Sequence, residues 1–379
     1  MESTTISEQQ EQALAKEMRE NLIAVQKADK ENRDAYRDNM RFLDGQQWEP
    51  LEAQKRRNKR LMLTADQLNG PVDQVVNSVR QNKPGPQVSP SGGGTDKIDA
   101  YVMEGILRRI DYENRAWICF GNAMENATGG NFGCWAIDID YKNDRSFERV
   151  INYRMIPNAN ETVYFDPAAI EKDRSDATWA MELINVPLST YKARWARKYN
   201  GDLSKLPFQG PMSGILSFFG NLSFRDDTLR GWASSEGVQL AKYWKLKLEV
   251  ENLTLYDNGI AYYDSEKDKI PPGVKPDTTQ DKRVVEHRRV FWYLMNATEI
   301  LKWGEWPGNW IPLIPVYGRE RWIEGKRVLS SMIQLAKQAQ QAFNFAFTGA
   351  CEVLAVATKS PWLGLLGQFK SKYNQWKLP

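Results

Sequence analysis

The stretch from 284 to 347 limits the fold more than any other part of the chain, because it places two strand-forming runs shortly before a long helix. Residues 284–295 are rich in β-branched and aromatic side chains, which favours an extended backbone. Residues 296–298 then indicate a bend, and 299–306 is predicted to return antiparallel to the first strand. The sequence therefore predicts a hairpin here.

A proline-containing corner and a helix follow this hairpin. Pro312 and Pro315 lack the N–H group that a central strand needs, so 310–318 is predicted to be an edge strand or a corner.

Residues 328–347 contain no Gly or Pro and have side chains at helical spacing. The apolar positions are Leu329, Met332, Ala336, Ala339, Phe343 and Phe347. The polar positions opposite them are Gln334, Lys337, Gln338, Gln341 and Asn344. We expect the apolar face to be buried and the uncharged polar face to lie against water or a close neighbour.

The overall charge gives no reason to expect a nucleic-acid reader. Lysines and arginines number 51 and acidic residues 48, so the formal net charge is +3, and a DNA reader is usually more basic. One local run places five cations within six residues: Lys55, Arg56, Arg57, Lys59 and Arg60. Such a run is usually solvated, and phosphate contact is the alternative. The 379 residues, 41% of them hydrophobic, allow about two or three domains with real cores.

The chain before 284 mixes helices with strands, which predicts an α+β fold. Residues 7–38 form a predicted helix whose narrow apolar stripe, Leu14, Met18, Leu22 and Val25, is expected to pack lightly, at the periphery or on a partner. The other predicted helices are 69–82, 96–127 with a break near Asn114, and 188–199; the predicted strands are 134–141, 147–155, 238–250 and 253–256. Residues 201–231 are predicted to be a long loop.

Few residues offer catalytic chemistry. His287 is the single histidine, and it stands beside two arginines in a predicted strand, where a structural role is expected. The sequence has no phosphate-binding loop, dinucleotide fingerprint or nucleophile elbow. Asp138 and Asp140 alternate on one strand face and leave a metal-dependent nuclease as an alternative. We therefore predict no enzyme, no metal and no cofactor.

The cysteines and apolar runs indicate the environment. Cys119, Cys134 and Cys351 lack metal-binding spacing and are predicted to be reduced thiols. No apolar run reaches the ~20 residues of a membrane helix, and the polar first residues contain no signal-peptide core. We expect a soluble chain that is not secreted by that route and does not contact a membrane.

Several motifs occur in a specific order along most of the chain. They are RFLDGQQW at 41–48, NGPVDQVVNSVRQNKP at 69–84, VYFDP at 163–167 followed by Asp173 and DATW at 176–179, VQLAKYW at 238–244, and IPLIPVYG at 311–318. In this order and spacing the chain resembles the portal (connector) proteins of tailed bacteriophages, in particular those of short-tailed phages, the podovirus type. The resemblance runs from about 33 to 379.

The resemblance implies a structural machine. Its fold would be α+β, with a helical and α/β wing at 1–237, a small β-rich clip module at 238–318, and a stem helix with the start of a C-terminal wing or crown at 319–379. Its members form a ring, dodecameric by resemblance, at one capsid vertex, and double-stranded DNA is packaged and ejected through it. Family members usually continue beyond the stem helix, so this chain would be the ordered part of a longer protein or a shortened member.

Partners and location follow from the same resemblance. Other copies of the chain, terminase, a tail adaptor and capsid or scaffolding protein would be the protein partners. The virion, at its capsid vertex, would be the final location, after assembly in the host cytoplasm.

Site residues are implied as well. The channel candidates are Lys337, Gln338, Gln341 and Asn344, because dense cations would hold phosphates too tightly for DNA to slide; contact with a neighbouring subunit is the alternative. The partner-interface candidates are Trp303, Trp306 and Trp310, with internal packing as the alternative. Two other functions stay open: a DNA-binding module without sequence specificity that uses the basic run, and the nuclease.

Overall fold

The computed structural model describes most of the chain: residues 7–49, 61–82, 85–90, 97–143, 145–195, 232, 237–257, 260–265, 270–276, 282–297 and 299–357. The described helices are α1 (Glu8–Ala28), α2 (Lys30–Leu43), α3 (Asn69–Asn82), α4 (Lys97–Glu113), α5 (Ala116–Gly129), α6 (Ala159–Thr162), α7 (Leu188–Trp195) and α8 (Met332–Ala357). None of them is long and apolar enough to cross a membrane. The predicted loop at 201–231 lies outside the described residues.

The strands form two antiparallel sheets and one separate ribbon, so the α+β prediction is confirmed. The described strands are β1 (Phe132–Tyr141), β2 (Arg149–Ile156), β3 (Val163–Phe165), β4 (Trp179–Pro187), β5 (Gly237–Leu255), β6 (Ala261–Tyr263), β7 (Arg283–Met295), β8 (Ile300–Trp306), β9 (Leu313–Tyr317), β10 (Arg319–Ile323) and β11 (Lys326–Ser330). The larger sheet has the order β3-β4-β5-β7-β8 with β6 beside β5, the smaller sheet has the order β2-β1-β9, and β10 pairs with β11.

The predicted hairpin and the proline-containing edge are both confirmed. β7 and β8 pair antiparallel, and β9, which carries Pro315, is an edge strand of the smaller sheet. An edge position suits Pro315 because its missing N–H group interrupts no second ladder. β5 is one strand rather than the two predicted, and it pairs with both β4 and β7. Strand β4 precedes residue 238 and β5 lies almost entirely after it, so their hydrogen bonds join the two parts of the chain that the sequence separates there. The division of the chain at 238 and 319 stays a prediction.

The two sheets pack face to face, with helices outside them. The larger sheet buries Trp244 and Val290 against Cys134 and Leu313 of the smaller sheet, and α5 packs on the smaller sheet. The approach of α5 to β1 depends on Gly133, because a Cβ there would lie 2.0 Å from the Ala123 carbonyl oxygen. The break predicted near Asn114 is confirmed, since α4 and α5 meet at Arg115.

The first predicted helix differs from expectation in two ways. It is two helices, because α1 ends at Ala28 and α2 begins at Lys30, with Asp29 between them. The expectation of light packing was wrong: Met18, Leu22 and Val25 are buried against the larger sheet. Each such side chain contributes about 1.5–3 kcal/mol when fully buried. A narrow stripe packs deeply here because the sheet supplies the rest of the core.

The last helix begins later than predicted. Residues 326–330 form β11, which pairs with β10 across a turn at Glu324 and Gly325, both with positive φ. Ser331 then starts the helix, because its Oγ accepts a hydrogen bond from the Gln334 N–H at 3.1 Å. Val328 and Leu329 are therefore strand residues, as β-branching and the glycine turn favour, and α8 continues to Ala357.

A buried amide on α2 fixes the ribbon. The Asn32 Nδ2 donates to the Arg327 carbonyl at 3.0 Å, and the Leu329 N–H donates to the Asn32 Oδ1 at 2.9 Å. The Asn131 Nδ2 donates in turn to the Asn32 carbonyl at 2.9 Å. Because buried backbone groups need partners, one side chain satisfies two groups of β11 and holds the ribbon against α2.

We expect Asn32→Ala to lower the free energy of unfolding by about 2–4 kcal/mol, because two buried backbone groups of β11 lose their partner. Chemical denaturation of purified protein measures the change. Glu31→Ala, at the exposed neighbouring position of α2, is the control and should change stability by less than about 0.5 kcal/mol. Equal effects of the two substitutions would contradict this role of Asn32.

Candidate functional site along the last helix

Helix α8 departs from the predicted division into a buried apolar face and an exposed polar face. Its buried positions include Ile333, Gln340, Asn344 and Thr348. Its large exposed apolar side chains, with their exposed fractions, are Met332 36%, Leu335 61%, Phe343 44%, Phe345 41%, Phe347 41%, Val353 68% and Leu354 67%. Phe343 and Phe347, which were expected on a face to be buried, are therefore partly exposed in this chain. Helix α8 therefore exposes several large apolar side chains to water.

The buried polar stripe of α8 binds an extended segment of the same chain. The Ala65 N–H donates to the Asn344 Oδ1 at 3.1 Å, and the Gln340 Nε2 donates to the Ala65 carbonyl at 2.7 Å. One turn later, the Leu63 N–H donates to the Thr348 Oγ1 at 3.3 Å. Side chains four residues apart lie on one helix face, so the stripe can follow an extended backbone. This is why polar residues are buried here.

The four channel candidates have different surroundings. Asn344 is only 1% exposed and also donates to the Gln47 Oε1 at 2.7 Å, so it cannot line a channel. Lys337 is half-buried and pairs with Asp38 at 3.5 Å. Gln338 is exposed and Gln341 is half-buried. The candidate Asn344 was wrong because a neutral polar helix face can bind backbone as readily as it can face water.

The three tryptophan candidates also differ. Trp303 lies beside Tyr293 with ring centroids 6.5 Å apart, and Trp306 meets Trp244 edge to face at 5.7 Å. Both rings are half-buried and belong to internal packing, the alternative given above. Trp310 is 53% exposed, with the Arg288 guanidinium 4.9 Å from its ring centroid. Of the three, Trp310 is the one with substantial free surface.

On the acidic strand face, Asp138 binds cationic side chains of the same protein. Asp138 accepts from the Arg154 Nε and the Lys242 Nζ, both at 2.6 Å, and Arg154 also binds both oxygens of Glu182 at 2.6 Å. Burial raises the pKa of the Asp138 carboxyl, but Lys242 and Arg154 outweigh burial and hold that pKa below its usual value. The network links the two sheets, and no cluster of three metal-ligating side chains occurs within the described ranges.

Two other sequence features have their places. His287 stacks on Tyr263 with ring centroids 4.2 Å apart, and the cysteines are free thiols. The basic run of Lys55, Arg56, Arg57, Lys59 and Arg60 lies outside the described residues.

Sequence reasoning also missed an apolar surface on α4, where Ile98, Val102 and Ile106 are exposed at a spacing of four residues. That spacing was the signal, because it places apolar side chains opposite the buried Ala100.

We expect Asn344→Leu to lower the free energy of unfolding by about 2–4 kcal/mol, because the Ala65 N–H and the Gln340 and Gln47 amides lose a buried partner. Gln338→Leu on the exposed face of the same helix is the control and should stay within about 0.5 kcal/mol. Thermal melting of both variants tests this. A larger effect at Gln338 would show that the faces of α8 are assigned incorrectly.

We expect Asp138→Asn to lower the free energy of unfolding by about 2 kcal/mol at pH 7, because Arg154 and Lys242 lose a charged acceptor. The folded-state pKa of Asp138 is lowered, so its contribution is complete above the unfolded value of about 3.9 and disappears as pH falls through the folded value. The difference from the unsubstituted protein should therefore shrink below about pH 4. Denaturation at several pH values measures it, with the exposed Asp140→Asn as control. A pH-independent difference would argue against the ion-pair network.

Comparison with known proteins agrees with the motif order. A family model described as phage P22-like portal protein matches residues 19–378. The chain is also 26% identical over 316 residues to a portal protein of Acyrthosiphon pisum secondary endosymbiont phage 1, across 79% of this chain and 41% of that protein. The chain thus spans about two fifths of the length of that relative. Since the family match covers nearly all of the sequence, the chain belongs to the P22-like portal proteins of bacteriophages.

Proposed function

We propose that this chain is one subunit of a portal ring, dodecameric as the resemblance implies, which stands at one capsid vertex and gives double-stranded DNA its route into and out of the capsid. Membership of the P22-like portal family supports this role. The subunit would act as structure rather than as an enzyme, and terminase would drive packaging. The virion is the proposed location, after assembly in the host cytoplasm with capsid or scaffolding protein.

The exposed apolar face of α8 is the observation that carries the proposal. Leu335 is 61% exposed and Leu354 67% exposed, with the stacked rings of Phe343 and Phe347 between them. A soluble monomer rarely leaves a contiguous apolar surface of more than a few hundred Å² in water. Packing this face against a neighbouring subunit removes it from water, which favours assembly.

A second apolar surface suits a ring. A closed ring with one subunit type uses a head-to-tail interface, in which two different surfaces of the chain meet. On α4, Ile98 is 66% exposed, Tyr101 74% and Val102 57%. Two arginines of α4 pair within the helix, Arg108 with Glu104 at 2.5 Å and Arg109 with Glu113 at 2.7 Å. The outer face of α4 is therefore the proposed complement of α8.

The channel and docking roles are assigned to the remaining candidates. Lys337, Gln338 and Gln341 stay as proposed channel residues of α8, while Asn344 is excluded by its burial. Trp310, in the proposed clip module, is the aromatic anchor offered to terminase during packaging and to the tail adaptor afterwards. An exposed aromatic ring beside an arginine is a common centre for such contacts.

We expect Leu335→Glu combined with Phe343→Glu to leave the subunit folded and to prevent ring formation, because two charges enter the apolar face. Native mass spectrometry and particle images of purified protein measure the assembly and its rotational symmetry. Ile23→Glu places a charge at another exposed apolar position, 44% exposed on α1, and should leave assembly unchanged. A chain that stays monomeric without substitutions, or a double variant that forms normal rings, would contradict the proposal.

A further inference from the structure

The ribbon of β10 and β11 has an inner face with buried ion pairs and an outer face with exposed cations. Pairing places Arg319 opposite Ser330, Arg321 opposite Val328 and Ile323 opposite Lys326, and directly opposed residues share a face. Arg319, Arg321 and Lys326 are exposed. Within the described ranges none of these three cations has an acidic partner. The outer face of the ribbon therefore carries three exposed positive charges with no acidic partner among the residues that the structure describes.

The inner face of the same ribbon is fixed by charges of its own. The Arg174 Nη2 binds the Glu320 Oε1 at 2.5 Å, with side chains only 1% and 5% exposed. Arg327, on the other strand, binds both oxygens of Asp29 at 3.0 Å. A two-stranded ribbon is marginal alone, but these buried contacts hold this one against the protein. The outer cations consequently project from a backbone with a fixed position.

The spacing of these cations fits a regular polyanion. Arg319 and Arg321 are two residues apart on one strand, so their backbones lie ~6.7 Å apart. Duplex DNA carries one phosphate per ~3.4 Å of axis on each strand. Because the strand also winds around that axis, neighbouring phosphates are farther apart than this rise, and their separation is close to the interval between the two arginines. Among the paired strand residues, this face carries no carboxylate, and the exposed Glu324 lies in the turn beyond them. A face dominated by cationic side chains suits phosphates rather than base edges.

We propose that the outer face of the β10–β11 ribbon, through Arg319, Arg321 and Lys326, contacts the phosphates of duplex DNA without reading its sequence. This inference rests on the proposed function for the route of the DNA. Only Ser331 separates β11 from α8, so the ribbon lies at the end of α8 that carries Lys337 and Gln338. A duplex that follows α8 would meet the ribbon at this end.

The test compares two triple variants of the full chain. In the first, Arg319→Gln, Arg321→Gln and Lys326→Gln remove the outer charges. In the control, Lys172→Gln, Lys282→Gln and Arg283→Gln remove three exposed charges from other surfaces. Fluorescence anisotropy with two duplexes of unrelated sequence, between about 50 and 200 mM salt, gives the affinity and its salt dependence. Melting temperatures confirm that both variants fold.

The ribbon variant should bind both duplexes at least about tenfold more weakly at 100 mM salt, and the slope of log K against log salt should fall by about 2.7, which is 0.9 for each lost phosphate contact. The control variant should keep the affinity and slope of the unsubstituted chain. Equal slopes in all three proteins would overturn the inference. A ribbon variant that loses assembly but keeps its DNA binding would also overturn it, because the face would then contact another subunit.

The proposed function is tested separately by the state of assembly. Native mass spectrometry of the same samples reports whether rings form. Rings with unchanged DNA binding in the ribbon variant would leave the portal proposal standing and remove the ribbon inference. If the chain is monomeric and the ribbon variant still has a smaller salt slope than the unsubstituted chain, the phosphate contact is supported and the ring is contradicted.

Discussion

The hydrogen bonds of the Asn32 amide hold together parts of the chain that are far apart in sequence. Through Asn32, α2 binds β11, and through the Asn32 carbonyl it binds Asn131 at the start of β1. A neighbouring side chain, Arg33, donates to the Val163 carbonyl at 2.7 Å and lies over the Tyr164 ring at 3.8 Å. Burial lowers the pKa of the Arg33 guanidinium. Polar groups this deep bind only in one arrangement, so α2 sets where the ribbon leaves the protein and where α8 begins.

The sequence predicted those parts of the fold that neighbouring side chains determine. The hairpin of β7 and β8, the edge position of Pro315 and the break between α4 and α5 each follow from side chains within a few residues. The start of α8 was missed because 328–330 favours a strand as strongly as a helix, and the partner strand β10 decides between them. A periodic pattern reports that a helix is amphipathic, and it does not report what each face meets.

Helix α8 shows this most clearly. Of the predicted polar positions, Asn344 is buried, together with Gln340 and Thr348, because 61–66 supplies backbone partners that no helical pattern reveals. The apolar side is exposed within the part of the chain that the structure describes. The same limit applies to α1, where Met18 packs deeply because the larger sheet brings Tyr243 and Met181 to it. Candidate sites chosen from a helix face therefore needed the fold before they could be judged.

The exposed surfaces of α8 and of the ribbon suit partners of different chemistry. Apolar side chains on α8 gain by leaving water, so they suit a permanent contact with a protein. Arg319, Arg321 and Lys326 gain by displacing counterions from a polyanion, so their contact weakens with salt and suits a partner that moves. In a ring every subunit repeats the same three charges, so many weak contacts would surround one duplex. Because every phosphate presents the same charge, these contacts have no preferred register, and the duplex could slide past them in the proposed ring.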